Sequence, residues 1–379
     1  MINQSEIIRP SAEQTFAHEL EILARLDRHP KPQQWKLSPW AVLQYILGAK
    51  LEDGTVISSK YLGQKKIIEM SIATLLSDRA LLLTGYPGTA KTWLSEHLTA
   101  AISGDSSLII QGTSGTHEDL IKYGWNYASL IAKGPTREGL IPSPIMKSME
   151  LGTIARIEEL SRIPTETQDA LISLLSEKVI SIPELNLKIE AKRGFNIIAT
   201  SNDLDRGIYE MSSALKRRFN IISMPMPQSI EEEVEIITFR VNQLGRMLEI
   251  PLAELKKQQI QKLTTLFREL REGKTMDGKN KLKPSNTLLS PAVAISIVHE
   301  ARIFSYYFSN NKLEEEHLAN GMINALNQEG HEEVNLLQEY NETVLKKRSE
   351  YKEWYNTFKK MIGTLSLNLA MISISVFIL

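Results

Sequence analysis

The middle of the chain carries short apolar runs that do not alternate with polar positions. Ala80-Leu81-Leu82-Leu83 lies between Ser77-Asp78-Arg79 and Gly85, and Leu108-Ile109-Ile110 follows it. Thr153-Ile154-Ala155-Arg156-Ile157 ends in Glu158-Glu159, and Phe195-Asn196-Ile197-Ile198-Ala199-Thr200 ends in Ser201-Asn202. Runs of this length read as strands buried on both faces. Between them the period becomes helical. Ile67, Ile68, Ile72 and Leu75 share a face before the first run, and Leu94, Leu98 and Ala101 share one after it. Thr165 with Gln168 three residues on reads as a capping pair for a helix burying Leu171, Ile172, Leu174 and Leu175. Lys178–Ile182 and Leu187–Ala191 do alternate, which predicts two strands around a Pro183-Glu184 turn.

The flanks read as helical. Phe16, Leu20, Leu23 and Leu26 share a face after Ser11, and Ser38-Pro39 caps a helix carrying Trp40, Leu43, Ile46 and Leu47. Residues 1–60 thus form a helical N-terminal extension, with a turn at Asp53-Gly54. From Pro227 onward helices are predicted over Ile230–Leu244, Leu252–Leu270 and, after the cap Ser290, Pro291–Tyr307, with Arg271–Asn286 a basic loop. Gln328–Lys360 reads as a charged helix. Residues 113–144 are rich in Gly, Pro and aromatics and show no element of their own, the mark of a functional or mobile insertion. Met361–Leu379 carries no charge and follows Lys359-Lys360, which makes it a candidate membrane anchor. Thr364, Ser366, Asn368, Ser373 and Ser375, with partial alternation, favour instead a docked or strand-like tail.

Composition narrows the function classes. The chain has 379 residues, 42% hydrophobic, with net charge −1, so no chain-wide electrostatic case exists for nucleic acid. It has no cysteine, which removes disulfides, thiolate metal sites and cysteine nucleophiles and suits a cytoplasmic location. Its start has neither a basic nor an apolar signal region. The seven histidines are scattered and read as structural.

Chemistry enters with Gly85-Tyr86-Pro87-Gly88-Thr89-Ala90-Lys91-Thr92, set between a buried strand and a helix. That context is what a phosphate-binding loop requires. Backbone N–H groups cradle the anion, Lys91 adds a point charge, and the Thr92 hydroxyl suits Mg2+. Ala90 stands where the general pattern has glycine. Glu158-Glu159 closes a strand, where one acid suits Mg2+ and the next a water. Asn202, at another strand end, reads either as a γ-phosphate and water contact or as a turn residue. Lys216-Arg217-Arg218 reads either as a solvated face or as a guanidinium reaching a neighbour's γ-phosphate.

With these residues placed, the chain resembles an AAA+ ATPase of the MoxR group from about Tyr61 to about Gln328. The loop 85–92 is similar to the MoxR form of Walker A, in which alanine before the lysine is usual. Glu158-Glu159 resembles Walker B, Asn202 sensor 1, Arg218 (with Arg217 beside it) the arginine finger, and Gly63-Gln64 the segment lining the adenine. The resemblance implies an α/β fold with a parallel sheet between helices over residues 61–228, and a helical lid over 229–345. A charged helix and apolar tail over 346–379 would follow. It also implies ATP and Mg2+ as cofactors, a homo-oligomeric ring, commonly a hexamer, a partner with a von Willebrand factor A domain, and a protein client that is remodelled or loaded with metal or cofactor. Residues 113–144 become its insertion in the second helix and 178–194 its hairpin before sensor 1. Two positions depart from the family pattern: Glu158 replaces the Walker B aspartate, and Ala292 stands where sensor 2 has arginine. They keep a second reading open, a nucleotide-gated scaffold with little turnover. A nucleic-acid remodeller is the third.

Overall fold

The computed structural model describes residues 8–202, 209–248, 251–285, 289–328 and 330–376. They divide into two compact units, residues 1–86 with 90–226, and residues 227–379 with 87–89.

The first unit is built on five strands: β1 (Ala80–Gly85), β2 (Ile109–Gln111), β3 (Ile154–Glu158), β4 (Asn196–Thr200) and β5 (Phe219–Met224). They are all parallel and lie in the order β5-β1-β4-β3-β2. Alternate residues of β1 face opposite sides, as the pleat demands. Leu81 and Leu83 join one apolar core with Ile198, Ile222 and Met224, whereas Ala80 and Leu82 join another with Ala155, Ile157 and Ala199. Burial on both faces is why the runs at β1, β3 and β4 are continuous rather than alternating; β2, expected to be buried likewise, lies at a sheet edge and leaves Ile109 and Gln111 exposed. β5 has no such run. As an edge strand it leaves Ile221 exposed and carries Asn220 and Ser223, so its sequence shows no strand pattern.

Helices around the sheet follow the expected faces. The phosphate-loop helix spans Lys91–Ser103, a preceding helix Lys65–Leu75 and a later one Thr165–Glu177. The Thr165–Gln168 capping pair does not form. Pro164 is the cap residue, and the Gln168 amide instead donates to the Ile163 carbonyl at 2.7 Å. Val179–Ile182 and Leu187–Glu190 pair antiparallel as predicted. The insertion is not featureless. Tyr123–Trp125 pairs with Leu140–Pro142, flanked by helices Glu118–Ile121 and Tyr127–Lys133. Elements of three to seven residues are too short for a period to show.

The N-terminal segment packs into the first core through Leu23, Trp35, Leu37, Val42, Tyr45 and Ile46. Ser38 caps helix Pro39–Leu47 as its sequence predicts. Buried Lys60 donates to Glu19 at 2.6 Å and lies over the rings of Phe16 and Tyr45, and desolvation lowers its pKa. The Tyr45 hydroxyl meets His97 Nδ1 on the phosphate-loop helix at 2.9 Å.

The second unit is helical: Ile230–Met247, Lys257–Glu272, Pro291–Phe308, Glu315–Gln328, His331–Thr343 and Lys352–Val376 enclose their own core. The second of these starts five residues later than predicted, beyond Pro251. Glu315–Gln328 was not predicted, although Leu318, Met322 and Leu326 have helical spacing. The long charged helix is broken between Thr343 and Lys352, where Arg348 turns in to Glu269 at 2.9 and 3.0 Å. The predicted basic loop is closed by a bridge between Lys274 and Lys281, and its end at Asn286 lies outside the described residues. The tail is helical to Val376, which corrects the strand reading, and 377–379 lie outside the described residues. Among the described residues, no helix is long and apolar enough to cross a membrane.

Candidate nucleotide site

Parallel register brings the C-terminal ends of the strands together, the edge at which open α/β sheets bind ligands. Gln111 pairs with Glu158, Ala199 with Ile157, and Thr200 with Leu83. One edge therefore carries the start of the phosphate loop, both acids, Thr200 and Asn202.

The loop leaves β1 through Gly85, with φ 138°, where a Cβ would lie 2.5 Å from the Met224 carbonyl oxygen. Gly88 has φ 82° and Ala90 φ 65°, so the alanine occupies the left-handed conformation that favours glycine. Lys91 opens the helix, and its ammonium donates to the carbonyls of Gly85 at 2.9 Å and Tyr86 at 2.8 Å. A helix N-terminus and a cation thus share one short loop.

Glu158 is 2% exposed and accepts from four donors. Thr92 Oγ1 (2.8 Å) and Thr200 Oγ1 (2.6 Å) reach its Oε2. Ser95 Oγ (2.7 Å) and Arg156 Nη2 (2.8 Å) reach Oε1. Thr92 and Glu158, the residues expected to hold Mg2+, are therefore in direct contact. An oxygen-only donor set beside a phosphate loop fits that hard cation. Among the described residues no group of three His, Asp or Glu side chains is placed to hold a metal.

Glu159 is exposed enough to meet solvent and takes φ 58°. Its backbone N–H donates to Thr200 Oγ1 at 3.1 Å, and its carboxylate accepts from Arg162 at 3.1 Å and Asn202 Nδ2 at 3.5 Å. The candidate base and candidate sensor are thus neighbours. Gly112, just past β2, donates to the Glu158 carbonyl at 2.7 Å, and a Cβ there would lie 2.3 Å from the Glu159 carbonyl oxygen.

Gly63 and Gln64 are exposed and precede helix Lys65–Leu75, with Gln64 at its cap. The adjacent Lys60 carbonyl accepts from Trp93 Nε1 at 2.7 Å, which ties this segment to the start of the phosphate-loop helix. Arg218 is held elsewhere. Its guanidinium donates to the Ala214 carbonyl at 2.6 Å and to Ser176 Oγ, while Arg217 is exposed. Sequence reasoning missed Arg156, Ser95, Thr200 and Gly112. The available signal was Arg156, since a cation within a doubly buried strand demands a buried carboxylate.

Residues 80–219 match the family described as AAA domain (dynein-related subfamily), and residues 231–362 match the YehL-like AAA+ ATPase C-terminal domain. The chain is 39% identical over 305 residues to the Escherichia coli protein YehL, covering 80% of this chain and 83% of that one. Among solved structures it is similar to Brucella abortus NtrX in complex with ADP (12% identity, 67% of this chain and 53% of that one, TM-score 0.45). A Thermotoga maritima RuvB mutant gives 17% identity, 84% and 86% coverage, and a TM-score of 0.44.

Proposed function

Because this chain belongs to the AAA+ ATPases of the YehL type, we propose that it binds ATP with Mg2+ and hydrolyses it, as a motor acting on a protein client. The contact of Glu159 with Asn202, at the strand edge that carries the phosphate loop, is the observation that supports hydrolysis best. In this reading the loop amides and Lys91 hold the phosphates, and Lys91 exchanges its carbonyl partners for phosphate oxygens. Thr92 and Glu158 would hold the metal, which when bound neutralises charge on the phosphates. Glu159 accepts a proton from the attacking water, which Asn202 orients. Gly63 and Gln64 border the base. Arg218 serves the site of a neighbouring copy, within a ring whose resemblance to MoxR proteins suggests a hexamer, a chaperone-like role and a von Willebrand factor A partner. Membrane association through the tail is not part of this reading, and the near-neutral charge speaks against nucleic acid.

The test is Glu159→Gln. It is expected to bind ATP as tightly as the wild type and to lose at least about 100-fold in turnover, in line with general-base removal. Full turnover in that variant would remove the assignment. The second reading, a scaffold that binds ATP with little turnover, draws support from the complete engagement of Glu158 by four donors. Wild-type turnover indistinguishable from that of Lys91→Ala would favour it.

A further inference from the structure

Arg156 lies beside the nucleotide site proposed above, and its role rests on that reading. Arg156 is 4% exposed in a strand whose other residues are buried and, Glu158 apart, apolar. Burying a guanidinium is costly unless its donors are satisfied. Here every nitrogen has an acceptor. Nε donates to Ser95 Oγ at 2.8 Å, Nη1 to the Ser106 carbonyl at 3.2 Å, and Nη2 to Glu158 Oε1 at 2.8 Å and the Thr92 carbonyl at 3.3 Å. Arg156 and Glu158 are two apart on one strand, so both point to the same face. That face is the one against which the phosphate-loop helix begins.

We infer that Arg156 is the positioning residue of the metal-nucleotide site, a built-in counter-charge that balances Glu158 and holds its Oε2 against the Thr92 hydroxyl. A bare carboxylate at this position would repel a triphosphate until a cation arrived. The Arg156–Glu158 pair presents no net charge, so the site admits ATP without metal. The glutamate in place of aspartate and the arginine inside the strand are then one feature. The longer acid spans from Thr92 and Thr200 on one oxygen to Ser95 and Arg156 on the other.

The experiment measures the affinity of a fluorescent ATP analogue in Mg2+ and in EDTA for wild type, Arg156→Met, Glu158→Gln and the double variant, each checked for folding by thermal unfolding. In Arg156→Met the uncovered carboxylate is expected to weaken metal-free binding by about tenfold or more relative to binding in Mg2+, the scale of one unit charge about 12 Å away at an effective dielectric of about 20. A purely structural arginine would lower both affinities together, and an unchanged ratio overturns the inference. If Arg156→Met does not fold, Glu158→Gln and the double variant carry the same test in EDTA. Losing the cation there is expected to weaken binding about tenfold, and equal affinities overturn the inference. Wild-type chain that binds no nucleotide at all overturns the nucleotide reading together with this one. Binding with an unchanged ratio overturns this one alone.

Discussion

Glu159 with φ 58° and Ala90 with φ 65° both sit in the left-handed region, where a side chain costs about 1–2 kcal/mol. Each adjoins a residue of the candidate chemistry, Glu158 in one case and Lys91 in the other. The chain at Glu159 is kept there by short backbone contacts, among them the Gly112 N–H to the Glu158 carbonyl. Gly112 is glycine for want of space rather than for its φ. Main-chain oxygens of Glu159 and Glu158 would stand 2.3 and 2.9 Å from any Cβ, and main chain cannot rotate aside as a long side chain can. Gly112→Ala is therefore expected to lower stability by about 1–3 kcal/mol, the usual cost of overpacking. It should also displace Glu159, so that turnover falls more than ATP affinity does. Urea unfolding with paired binding and turnover assays checks this, and an alanine variant with wild-type midpoint and turnover would refute it.

Among the helices, the break at Arg348 has the clearest physical cause. Glu269 is fully buried, and Arg348 meets it with two nitrogens, while the Tyr340 hydroxyl and the Met276 N–H also donate to it. Burial together with the neighbouring Glu269 charge pushes the Tyr340 hydroxyl far above the usual phenol range, so it stays a donor. Removing the guanidinium strands a carboxylate, and Arg348→Leu is expected to cost about 3 kcal/mol. Arg348→Lys should cost less, because the charge survives although the fork is lost. Thermal unfolding of both variants measures the difference, and equal midpoints for Arg348→Leu and the wild type would sink the claim. This pair also shows where the sequence was opaque. β1, β3 and β4 were legible because burial on both faces makes their runs continuous, and the Lys178–Glu190 region because one-sided burial makes it alternate. Arg348 lies 79 residues from Glu269, so neither could announce the other or the break in the helix. The site divides in the same way. Lys91, Thr92, Glu158 and Glu159 could be read from strand-end position, but the fourfold grip on Glu158 comes from three separate elements. The lone arginine in β3 was the visible trace of it.

For the whole molecule the open issue is whether one chain carries a complete site. Lys91, Glu158, Glu159 and Asn202 share one strand edge, but Arg218 is tied to Ser176 and Ala214 of its own chain. If its guanidinium instead completes a neighbour's site, two inactive variants should rescue each other. Arg218→Ala keeps its own Glu159 but offers nothing across the interface. Glu159→Gln cannot activate water but still offers Arg218. In an even mixture of the two, about one ordered pairing in four joins an intact Glu159 to an intact Arg218. The mixture is therefore expected to recover up to about a quarter of wild-type turnover, with each variant alone near background. The recovery should rise with total protein concentration, since a heterologous interface must form before the site exists. An arginine acting within its own chain predicts the reverse, because no Arg218→Ala subunit could then be repaired by a neighbour and mixing would leave turnover at background at every concentration.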